Sequence, residues 1–161
     1  SCRRAVLHVF PGFVIVLDRA ELEKPESISL RWNTAVRPGL SGPDGFRVQH
    51  ESVGLAARVL DLMDNSPTFR VANQGYHAPW NKDQFGGTLP DRECPYFEIR
   101  TESDRCVFLS LFSVQPGNSA TPWTEKNGIL VGTIGDQRLE ITAGESGVTV
   151  HSPEKGMRWE M

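Results

Sequence analysis

Ser27-Ile28-Ser29-Leu30-Arg31-Trp32-Asn33 alternates large apolar and polar side chains with a period of two. On a helix Ile28, Leu30 and Trp32 would scatter around the circumference; on a strand they share one face. The alternation returns in Phe46-Arg47-Val48-Gln49-His50, in Arg138-Leu139-Glu140-Ile141-Thr142 and in Val148-Thr149-Val150. So persistent a period restricts most of the chain to strands with one wet and one buried face. Two runs, Phe13-Val14-Ile15-Val16-Leu17 and Cys106-Val107-Phe108-Leu109-Ser110-Leu111-Phe112, are apolar on both faces and predict central strands covered on each side. Arg4 to Phe10 and Phe13 to Asp18 flank Pro11-Gly12, which predicts a β-hairpin with a type II turn, Pro fixing φ and Gly taking the positive φ.

Turn clusters separate these runs: 37–45, Asp64-Asn65-Ser66-Pro67 and Gln115-Pro116-Gly117-Asn118-Ser119. The chain therefore reads as about ten short strands joined by loops. One segment is ambiguous. Val53, Ala56, Ala57, Leu60 and Met63 recur at helical spacing, yet Ala57-Arg58-Val59-Leu60-Asp61-Leu62 also alternates, and Gly54 weakens a helix start, so a strand is expected across Val53 to Met63. No internal repeat occurs. Closely spaced strands without intervening helices predict an all-β fold, an antiparallel β-sandwich or jelly-roll-like stack forming a single domain over 1–161. The start, Ser1-Cys2-Arg3-Arg4, runs straight into alternation with no leader pattern, and reads as a piece cut from something longer.

Seventeen Lys+Arg against 20 Asp+Glu leave a net charge of −3 with no basic cluster, so neither nucleic-acid binding nor membrane insertion is expected. The histidines His8, His50, His77 and His151 lack metal-ligand spacing, and His50 is expected as a core or rim residue on the face of Phe46 and Val48. Cys2, Cys94 and Cys106 are odd in number with no CxxC, which favours idle thiols over a framework. Gly132-Thr133-Ile134-Gly135 and Gly144-Glu145-Ser146-Gly147 match no phosphate-binding fingerprint and read as hairpin turns. No nucleophile elbow appears, and Asp91 and Glu93 read as a solvated loop. No catalytic residue, metal or cofactor is assigned.

Chemistry concentrates in Tyr76-His77-Ala78-Pro79-Trp80-Asn81-Lys82-Asp83-Gln84-Phe85-Gly86-Gly87. Ring faces stack on the apolar face of a pyranose, and amides and charged tips bond its hydroxyls. Tyr76, His77, Trp80, Asn81 and Phe85 are therefore the candidate carbohydrate contacts, with Tyr76 and His77 conceivable as an acid/base pair for β-elimination. The alternative is that Trp80 and Phe85 turn inward and plug the end of a sandwich. Trp123 and Trp159 are weaker candidates of the same kind.

The order of these pieces resembles a known family. Arg4-Ala5-Val6-Leu7-His8-Val9 turns into Phe13-Val14-Ile15-Val16-Leu17-Asp18-Arg19. Leu30-Arg31-Trp32-Asn33 follows, then Trp80 to Phe85-Gly86 with Leu89-Pro90, then Val107 to Phe112 ending at Gln115-Pro116-Gly117. Together they are similar to the later part of the C-terminal β-sandwich of heparinase II/III-like polysaccharide lyases. Phe85 stands where Tyr is usual in that family and Asn33 where His is common. The resemblance implies β-elimination of uronate-containing glycans, an acidic polysaccharide or oligosaccharide as partner, and an N-terminal α/α toroid packed against the sandwich. It also implies that catalytic Tyr and His lie largely on the toroid, with metal positions on earlier strands, so no catalytic role carries over to a residue here. A free-standing carbohydrate-binding module and a structural or protein-interaction sandwich are the competing expectations.

Overall fold

The computed structural model describes residues 1–75, 93–117 and 120–161. Its strands are β1 (Cys2–Val9), β2 (Phe13–Asn33), β3 (Gly39–Leu40), β4 (Gly45–His50), β5 (Val53–Asp61), β6 (Thr68–Gly75), β7 (Glu93–Pro116), β8 (Thr124–Lys126), β9 (Ile129–Ile134), β10 (Gln137–Gly144), β11 (Gly147–Ser152) and β12 (Met157–Glu160). A 3-10 turn, Pro153–Lys155, joins the last two. The fold is all-β. Two antiparallel sheets pack face to face: seven strands in the order β1-β2-β7-β5-β4-β3, with β6 also paired to β7, and five in the order β12-β11-β10-β9-β8. The ambiguous segment is the strand β5, and among the described residues no helix is long and apolar enough to cross a membrane.

Among the described residues twelve strands stand where about ten short ones were expected, and two are long, β2 with 21 residues and β7 with 24. The charged run Glu21 to Glu26 forms a bulge inside one strand. Glu21 pairs with Arg105 and Glu26 with Ser103, so Leu22-Glu23-Lys24-Pro25 all stand against Asp104. Pro25 has no N–H to donate and is tolerated there because the ladder is already interrupted. Beyond the bulge the far part of β2 pairs with 96–103 of β7, which pairs in turn with β6.

This far half folds back over the near half. Trp32 Nε1 donates to Ser110 Oγ at 3.1 Å, the Trp32 and Phe112 rings meet edge-on at 4.8 Å, and Phe97 stacks on Phe46 at 4.5 Å. The large sheet is therefore covered on both faces. Phe13, Ile15, Leu17, Leu109 and Leu111 meet Leu130, Leu139, Ile141 and Val150 of the small sheet. Val16, Cys106, Phe108 and Phe112 meet Phe97 and Ile99 of the folded-back half. Both doubly apolar runs thus occupy the central positions that their composition demands.

The first hairpin forms, with Val9 opposite Phe13, but its turn is not type II, because Gly12 does not take a positive φ. Glycine is needed there for space: an added Cβ would overlap the carbonyl oxygen of Val114, whose N–H donates to the Gly12 carbonyl at 2.9 Å. Gly132 is likewise no turn residue. It lies inside β9, where a Cβ would fall 2.6 Å from the Trp123 ring.

Candidate functional site

The folded-back half presents its other face outward, and that face carries the richest side-chain chemistry among the described residues. Alternation along Tyr96-Phe97-Glu98-Ile99-Arg100 sends Phe97 and Ile99 into the core and Tyr96 and Glu98 to the opposite side. Register then builds a row across three strands: Arg31 of β2 and Arg70 of β6 both stand directly opposite Glu98 of β7. Arg31 Nε donates to Glu98 Oε1 at 2.5 Å, and Arg70 Nε donates to Glu98 Oε2. Glu98 is buried, whereas the side chains of Arg31 and Arg70 are 42% and 55% exposed.

The neighbouring rows brace the two guanidiniums. Arg31 Nη1 reaches Gln74 Oε1 at 3.5 Å, and Arg70 Nη2 reaches the Tyr96 hydroxyl at 3.4 Å. Both lie over the Tyr96 ring, at 5.0 and 6.0 Å from its centre. Burial pushes the Glu98 pKa up, but the hydrogen bonds and charges of Arg70 and Arg31 outweigh burial and hold it below the usual carboxylate range. A carboxylate kept ionised in this way is a poor proton donor; its role is to fix two cations in place. One negative and two positive charges leave the row with a surplus cation. Guanidinium donors not used on Glu98, Gln74 or Tyr96 can bond an oxyanion bidentately.

The sequence-predicted contacts Tyr76, His77, Trp80, Asn81 and Phe85 lie outside the described residues. They belong to the connection between β6 and β7, whose flanking residues Gly75 and Glu93 pair with each other five residues along the strands from Arg70 and Glu98. Trp123 is no sugar platform: it is buried, with its ring edge-on to Phe13 at 5.6 Å. Trp159 packs its half-buried ring against the inter-sheet core. Glu93 opens β7 rather than sitting in a loop.

His8, His50 and His151 are exposed and far apart in strand order; His50 is a rim residue, and His151 lies 3.5 Å from Glu140. No three His, Cys, Asp or Glu side chains among the described residues come together as metal ligands. All three cysteines are free, Cys2 exposed, Cys94 half-buried and Cys106 buried, and burial pushes the Cys106 thiol up to about 11.

Arg31, Arg70, Tyr96 and Glu98 escaped sequence reasoning. The alternation Tyr96-Phe97-Glu98-Ile99-Arg100 was there to be read, but the row itself needs the pairing of strands 43 and 67 residues apart along the chain from Arg31 to Gln74 and Glu98. Comparison of the chain with protein-family models and with curated proteins finds no match.

Proposed function

We propose that this chain is the C-terminal β-sandwich of a heparinase II/III-like polysaccharide lyase, walling one side of an acidic-glycan cleft while the chemistry belongs to a toroidal domain outside it. The observation that carries this reading is the braced, half-exposed pair Arg31 and Arg70 held over Tyr96 by the buried Glu98. Such a face offers two half-exposed cations to a uronate, the Tyr96 ring beneath them being buried. The motif order described above supplies the family.

The test has two arms. Incubation of the pure chain with heparan sulfate or alginate is expected to give no rise in unsaturated-uronate absorbance, and a rise would refute chemistry supplied elsewhere. Titration of tryptophan fluorescence with acidic oligosaccharides is expected to saturate, and to weaken about tenfold in Arg70→Gln, which leaves Arg31 on Glu98. Saturation by neutral oligosaccharides alone would favour a free-standing binding module of a different specificity.

A further inference from the structure

We infer that a second face of the molecule, the cleft where β1, β2 and β7 emerge beyond the β10–β11 turn, is a binding site for the oxyanion groups, sulfate or carboxylate, of an acidic glycan. This inference rests on the glycan reading for the source of the anion, though not for the site itself. The cleft has a volume of about 240 Å³, and its lining includes Arg3, Arg19 and Arg105 together with Glu21 and Glu145. It lies on the face of the large sheet turned toward the small one, opposite to the face that the folded-back half covers.

Three features point to an incoming anion. Arg3 and Arg19 stand directly opposite each other in the β1–β2 ladder, and like charges so placed destabilise an antiparallel pair unless something neutralises them. Arg4 holds Asp18, Arg58 holds Asp44, and Arg31 and Arg70 hold Glu98, whereas Arg37 and Arg47 are, among the described residues, without an ion pair and have no like charge opposite them in the ladder. Arg3, Arg19 and Arg105 have no carboxylate within ion-pair distance among the described residues, although Glu21 faces Arg105 across the strands. Finally, Arg19 is anchored. Its Nη2 donates to the Ser146 carbonyl at 3.0 Å, which ties the guanidinium to the turn of the opposite sheet and leaves its other donors for a ligand.

Leaving the Ser1 amino group aside, three guanidiniums face two carboxylates, so the cleft is a local cationic spot on a chain of net charge −3. A sulfate or carboxylate seated between Arg3 and Arg19 supplies the missing counter-charge through charge-assisted hydrogen bonds.

Inorganic sulfate, followed by the Nε–Hε resonances of the arginines, tests the site directly. Saturable shifts confined to Arg3, Arg19 and Arg105 are expected, and their loss in Arg19→Gln/Arg105→Gln with thermal stability unchanged or raised. Shifts that grow linearly, or that spread over the exposed arginines generally, overturn the site. Heparin-derived and alginate-derived hexasaccharides then separate sulfate from carboxylate as the preferred group, and the double variant should bind the preferred one roughly tenfold or more weakly. Saturation by sulfate with no response to either hexasaccharide would leave the oxyanion site standing and remove the glycan as its source. Hexasaccharide binding lost in Arg70→Gln but unchanged in the double variant would leave the glycan reading standing and overturn the cleft.

Discussion

The two cores of this protein fill gaps of different shape. Between the sheets, branched aliphatic side chains such as Ile15, Leu17, Leu109, Leu139 and Ile141 interdigitate, with Phe13 and Trp123 at one place. Two separate sheets lie roughly parallel at about 10 Å, and aliphatics of similar size fill such a space evenly. Inside the doubled-over sheet the filling is richer in aromatics. The sheet folds back at one bulge into a wedge, filled by Ala20, Cys106 and Phe108 toward the bulge and by Phe97, Phe46, Phe112 and Trp32 farther out. Ring contacts at 4.5 to 6.3 Å give this wedge directional packing beyond the area buried. The aromatic wedge also carries the candidate site, because the strands that bury Phe97 and Ile99 hold Glu98 and Tyr96 on their other side. Site geometry and wedge packing are therefore coupled, whereas the aliphatic core stands apart from that site.

The strongest way to break the comparison is Phe97→Ala. The ring is fully buried and stacked, so a loss of about 3–5 kcal/mol in chemical denaturation is expected, together with weakened binding at the Arg31–Arg70 face. Leu139→Ala, buried as deeply in the aliphatic core, should cost about 2–5 kcal/mol and leave the affinity of the surviving folded protein intact. Equal effects of the two on binding would deny the coupling.

Gly132→Ala sharpens the aliphatic side of the comparison. The new Cβ meets the Trp123 ring at 2.6 Å, and about 1–3 kcal/mol of overpacking is expected by thermal denaturation. A neutral result would mean that the Trp123 pocket yields.

Glu98→Gln is the mildest and the most specific. About 1.5 kcal/mol is expected near neutral pH, the low end for hydrogen bonds to charged groups because both arginines stand half in water. The folded-state pKa of Glu98 lies below the ordinary 4.5, so its stabilisation is whole above that value and is lost as pH falls through the lower folded one. Parent and variant should therefore converge in acid. A gap that persists unchanged to low pH would show that shape, not charge, sets the difference.

Much of this architecture could be read in advance from side-chain order. Period two located β1, the ends of β2, β4, β10 and β11, and the apolar runs of β2 and β7 declared themselves central. The turn at Pro11-Gly12 was misjudged because a crowding carbonyl, not a torsion, selects its glycine, and Val114 lies far along the chain. The bulge between Glu21 and Glu26 drew no expectation, because its place depends on the distant β7 register.

Composition and alternation by themselves fixed an all-β chain with one face of each strand buried, since hydration acts residue by residue and needs no partner strand to be specified. Which strands become neighbours is a long-range choice, made by register and by where β2 and β7 bend. That choice alone set Arg31 and Arg70 on either side of Glu98, and Arg3 against Arg19. Charges separated along the chain acquire their meaning only when the fold makes them neighbours.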